Sequence, residues 1–97
     1  MTVYKGRPGV VLTQIAGDYV LVAAKALKGQ CPSVTQLNES SAVLWRQLGS
    51  GMSLEQLVEA VAEEYEVDDP AAVRKAIDDF IRQMDDLHYL VTEELPS

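Results

Sequence analysis

Val34-Thr35-Gln36-Leu37-Asn38-Glu39-Ser40-Ser41-Ala42-Val43-Leu44-Trp45 changes its period in the middle. Val34 to Leu37 reads as a four-residue strand, with the side-chain period of two. From Asn38 the period becomes that of a helix: Ser41, Leu44, Trp45 and Leu48 fall at i, i+3, i+4 and i+7 on one face. Asn38 has the short polar side chain that caps a helix N-terminus, and Glu39 suits the positive end of the helix dipole. No glycine or proline separates strand from helix, so the strand must end where the helix begins. A strand this short has no stability of its own, and what lies on either side of it decides the fold.

On its N-terminal side the chain is rich in strand signals. Val10 to Ile15 is β-branched and apolar, Gly17-Asp18 is a two-residue turn signal, and Tyr19 to Ala23 follows at once, which together predict a hairpin. Ala24 to Ser33, with Gly29 and Pro32, is a loop leading to the third strand. On the C-terminal side, Gly49-Ser50-Gly51 ends the first helix. Ser53-Leu54-Glu55-Gln56 is a capping box, and Leu54, Leu57, Val58, Val61, Ala62 and Tyr65 form an apolar stripe behind it. Asp69-Pro70 starts a third helix, with Val73, Ile77, Phe80, Ile81, Met84 and Leu87 on its stripe. The expectation is an α+β domain, a three-stranded antiparallel sheet followed by three helices, of winged-helix type. Residues 1–97 make one domain, with an ordered core from about 8 to 92 and a fraying acidic tail at Glu93 to Ser97.

Composition narrows the function. The single cysteine, Cys31, cannot form an internal disulfide, and with the single histidine, His88, it makes no zinc or iron–sulfur ligand set. His88 reads as a helix-end residue and Cys31 as a small, partly buried one. The pairs Asp78-Asp79 and Asp85-Asp86 sit about 100° apart on a helix and do not converge as acid and base. No phosphate-binding loop is present in the sequence pattern. Neither catalytic residues nor a cofactor are expected, so the chain reads as a binding module. The longest uncharged apolar run is far too short to span a bilayer, and no secretory signal pattern is present, so a cytoplasmic location is expected. Charge is uneven. Residues 1–37 hold four basic residues against Asp18, a net +3, whereas residues 38–97 hold four basic and 14 acidic residues, a net −10. Phosphates are poorly served by such a surface, which argues against nucleic acid as a partner even though winged helices include DNA-binding regulators, the alternative reading of this fold.

Val34 to Leu37 carries none of the lysine, proline or bulge that usually guards an edge strand. Either the strand is short enough to be harmless, or its edge is open to an added strand from another chain.

The order of strands, then LNESSAVLWRQLGSGMSLEQLVEAVAEEYEV (residues 37–67), then VRKAIDDFIRQMDDLHYLV (residues 73–91), resembles the pyrroloquinoline quinone biosynthesis protein D (PqqD) family. That resemblance implies a non-catalytic peptide chaperone, a recognition element that binds the leader of a ribosomally made precursor peptide and presents it to a modifying enzyme. The enzyme is either a radical S-adenosylmethionine enzyme or a leader peptidase and cyclase. It further implies that the leader adds as an antiparallel strand to Val34, Thr35, Gln36 and Leu37. The groove's other wall then comes from exposed members of Val73, Arg74, Ile77 and Ile81 on the third helix. On this reading Thr35 offers an edge amide, and Lys25 and Lys28 either steer an acidic leader or belong to a solvated loop. The assembly is a monomer or a dimer, with exchange through Ala24 to Ser33 as one route to the latter.

Overall fold

A computed structural model of the chain describes residues 1–49, 51–66 and 68–96. The three helices start on the caps read from the sequence. Asn38 Oδ1 accepts from Ser41 N (2.7 Å) ahead of α1 (Glu39–Leu48). Ser53 Oγ accepts from Gln56 N (3.1 Å) while Ser53 N donates to Gln56 Oε1 (2.9 Å), closing the capping box of α2 (Leu54–Glu64). Asp69 Oδ1 accepts from Ala72 N (3.3 Å) ahead of α3 (Pro70–Asp86). Each cap satisfies amides that the first helical turn leaves unbonded. Ser50, in the expected turn after α1, lies outside the described residues, as does Ser97 of the acidic tail.

The sheet contains the three expected strands in the order β2 (Val10–Ile15), β3 (Asp18–Ala23), β4 (Val34–Leu37), antiparallel throughout. Two further strands were not legible in the pattern. β1 (Thr2–Gly6) pairs with β5 (Leu90–Glu94) as a separate two-stranded ribbon, in register from Thr2 opposite Glu94 to Gly6 opposite Leu90. Glu93 and Glu94 therefore sit in a paired strand rather than in a fraying tail. The ribbon is joined to the helices where Tyr4 and Met52 exchange main-chain hydrogen bonds of 2.7 and 2.9 Å. It also lies close against α1: a Cβ on Gly6 would stand 2.8 Å from the Trp45 ring. Only a residue without a side chain lets the strand lie on that indole.

One face of the three-stranded sheet packs on the helices. Leu21 and Leu37 join Leu48, Leu57, Ile77, Phe80, Ile81, Met84, Tyr89 and Leu90 in a single buried cluster. α3 ends in a two-hydrogen-bond cap, His88 N to Asp85 O (2.9 Å) and Tyr89 N to Met84 O (3.0 Å), with His88 at φ +63. That reversal swings Tyr89 under the helix and into the core. Tyr65, expected in the α2 stripe, instead follows the end of α2 in extended conformation and is exposed.

The hairpin turn lies one residue earlier than expected. Ile15 pairs with Asp18, leaving Ala16 (φ +51) and Gly17 (φ +88) as the two central residues. Both φ values positive is the geometry of a type I′ turn, which matches strand twist but strains alanine. Ala16→Asn should therefore stabilise the domain by about 0.5–1 kcal/mol, raising Tm by roughly 3–6 °C in calorimetry. An unchanged or lower Tm would contradict that turn assignment.

Candidate functional site

Among the described residues β4 pairs with β3 alone, and the phase of that pairing determines what its other side offers. Ala23 N donates to Ser33 O (2.9 Å), and the register continues without interruption to Tyr19 opposite Leu37. Hydrogen-bonded pairs alternate along an antiparallel ladder, so Thr35 and Leu37 turn their main-chain groups to β3. Val34 and Gln36 turn theirs outward to the open edge. This corrects the expectation that Thr35 supplies an edge amide: its amide belongs to the internal ladder. Side chains alternate in the same phase. Thr35 and Leu37 face the helices, while Val34, 62% exposed, and Gln36 stand on the far face of the sheet.

Beneath the strand, Tyr89 is fully buried and its hydroxyl reaches β4 from within. It donates to Pro32 O (2.8 Å), which leaves Thr35 Oγ1 to donate to it (2.5 Å). Arg7 holds the same corner, donating from its main chain to Tyr89 O (2.8 Å) and from its guanidinium to His88 O (3.2 Å) and to Gln30. The start of β4 is thus fastened to the end of α3. Past the other end of β4, Glu39, Ser40, Val43 and Leu44 face Val73, Ala76 and Ile77 of α3 across an apolar pocket of about 350 Å³, with Val61 and Tyr65 of the α2 end completing it. α3 consequently passes β4 in the opposite direction, and the pocket opens at the Leu37 end.

The expected third-helix residues separate. Val73 is half-buried and lines the pocket, and Ile77 forms part of its floor while being almost wholly buried. Ile81 is buried in the core. Arg74 lies on the opposite flank from Ala76, about 200° round the helix. There it makes a two-pronged ion pair with Glu55 of α2, one arm at 2.7 Å. That guanidinium holds the Glu55 carboxyl below the usual carboxylate range, and Glu55 in turn raises Arg74. The pair sits on the α2–α3 side, away from the pocket. Val43, Tyr65 and Ala76 line the pocket but were not expected as groove residues, Tyr65 having been assigned to the α2 stripe; the i, i+3, i+4 stripe marks the core-facing side and says nothing about its flanks.

Residues 18–90 match the family described as coenzyme PQQ synthesis protein D (PqqD). Two solved structures share the fold over nearly their full length. One is titled TbiB1 in complex with the TbiA(beta) leader peptide: it is 25% identical, with a TM-score of 0.68, and the match covers 96% of this chain and 99% of that one. The other, lasso peptide synthetase B1 complexed with the leader peptide, is 19% identical, with a TM-score of 0.67, and the match covers 91% of this chain and 96% of that one. No curated protein is similar enough to count as a match.

Removing the Tyr89 hydroxyl tests the fastening of β4. Tyr89→Phe strands the Pro32 carbonyl and the Thr35 hydroxyl and should cost about 1–2 kcal/mol. In hydrogen exchange the Thr35 and Leu37 amides should lose protection more than those of α2. Equal loss everywhere would mean that the hydroxyl serves global stability and not the strand.

Proposed function

The chain belongs to the PqqD family, and from that premise we propose that it binds the leader segment of a ribosomally made precursor peptide by strand addition to β4. The observation that carries this reading is the outward phase of Val34 and Gln36 on an edge with an apolar pocket at its end. A peptide laid antiparallel on that edge exchanges main-chain hydrogen bonds with Val34 and Gln36, contacts that are almost independent of sequence. Specificity then comes from alternate side chains. Those beside Thr35 and Leu37 point toward α3, and an apolar residue near the Leu37 end enters the pocket between Val43, Tyr65, Val73 and Ala76, above Ile77. Arg74 and Ile81 act indirectly on this account, Arg74 by bracing α3 against α2 and Ile81 by packing beneath it.

The leader-bound TbiB1 and lasso peptide synthetase B1 structures support the same reading by their shared fold. The chain acts as a non-catalytic chaperone, holding the leader while a separate enzyme modifies the core peptide. A radical S-adenosylmethionine enzyme or a leader peptidase with a cyclase fits that place, and the net charge of −7 favours a basic docking surface on it. The carriage of the peptide takes place in the cytoplasm, where precursors are made.

Isothermal titration with the leader encoded beside this chain's gene tests the mechanism, with an expected Kd in the micromolar range, about −8 kcal/mol. Gln36→Pro removes an outward amide and should weaken binding about tenfold or more while leaving the circular dichroism spectrum unchanged. Thr35→Pro, by contrast, breaks the β3–β4 ladder and should lower Tm. Full affinity in Gln36→Pro would overturn strand addition.

A further inference from the structure

β2 presents a second open edge, and it differs from that of β4. Among the described residues β2 pairs with β3 alone. Ala24 N donates to Gly9 O (2.8 Å), so Val11, Thr13 and Ile15 turn their main-chain groups to β3, whereas Leu12 and Gln14 turn theirs outward. Val-Val-Leu-Thr-Gln-Ile holds no charge, no proline and no bulge, the devices that normally keep an edge from pairing with another chain. Its far-face side chains Val11 and Ile15 are 61% and 56% exposed.

We propose that the β2 edge is a self-association surface, on which two copies of this chain pair β2 with β2 antiparallel about a two-fold axis. The pairing is self-complementary in register. Outward residues must face outward residues, and setting Leu12 opposite Gln14 of the second copy puts Thr13 against its own counterpart on the axis. Val11 then stands opposite Ile15 of the second copy, at the non-hydrogen-bonded positions where side chains approach most closely. The exposed valine and isoleucine cover each other twice, and about four main-chain hydrogen bonds form between the strands.

Charge favours the same partner. The three strands β2, β3 and β4 contain one charged residue, Asp18, while residues 38–97 carry a net −10. Meeting at β2 brings together the least acidic ends of two acidic molecules, and a helix-to-helix contact would do the reverse. A peptide ligand is less well served there, because the pocket that reads side chains lies beside β4. The six-stranded sheet so formed has β4 at both outer ends, leaving both leader sites open. A contact of one strand edge per copy falls below the roughly 1,200 Å² of a standard interface, so the dimer is weak and reversible.

Sedimentation velocity on the peptide-free protein from about 10 μM to 1 mM, a range suited to weak association, should show the mass rising from 10.6 kDa toward twice that value. Gln14→Pro, which removes an outward amide, and Thr13→Lys, which sets two cations together on the axis, should each weaken association at least tenfold. Gln36→Pro, on the β4 edge, should leave it unchanged. A constant monomer mass across the range overturns the proposal, as does undiminished association of Thr13→Lys, or loss of the dimer in Gln36→Pro.

Discussion

The hydroxyl of Tyr89 binds the two halves of this fold together. Its ring is sealed in the core, and its oxygen lies between Pro32 O and Thr35 Oγ1. A buried phenol without partners is costly, so the ring can occupy its site only when β4 comes to it. The chain reversal at His88 aims the ring, and β5 begins directly after it, so one residue couples the end of α3, the terminal ribbon and the edge strand. β4 gains rigidity without using its outer edge. An edge strand of four residues fastened from behind is a preorganised template, which lowers the ordering cost that an added peptide strand would meet.

Much of this architecture is written locally. Asn38, Ser53 and Asp69 announce the three helices because capping acts between residues three apart, and the structure bonds all three as expected. The hairpin and the short strand were equally legible from their residues, apart from a one-residue slip at the turn. That slip arose because Gly17-Asp18 is the commoner turn pair and alanine is a poor occupant of a left-handed position. The ribbon escaped because its strands lie at opposite ends of the chain. Thr2 to Gly6 and Leu90 to Glu94 have five residues each, and the second ends in two glutamates that strands disfavour; only their mutual register makes them strands.

The candidate site shows a finer limit of the same kind. That Val34 to Leu37 forms an unguarded edge was readable from residue types. Which of the four turns its amide outward was not, because the phase depends on Ala23 bonding to Ser33 across a loop of nine residues between them. Helical periodicity likewise placed Ile77 and Ile81 on the core stripe but did not separate the pocket flank, with Val73 and Ala76, from the α2 flank, where Arg74 meets Glu55. Tyr65 became a pocket residue only because α2 stops at Glu64 and releases it.

The phase of β4 also supplies the most direct measurement of the central claim, that another chain adds to this edge. Amide hydrogen exchange on β4, with and without saturating leader peptide, reads each position separately. Strand addition predicts that Val34 and Gln36, whose main-chain groups face away from β3, gain protection of about tenfold or more, while Thr35 and Leu37, already bonded to β3, change much less. Binding with no change at Val34 and Gln36, or with protection confined to α3 and the pocket, would contradict it.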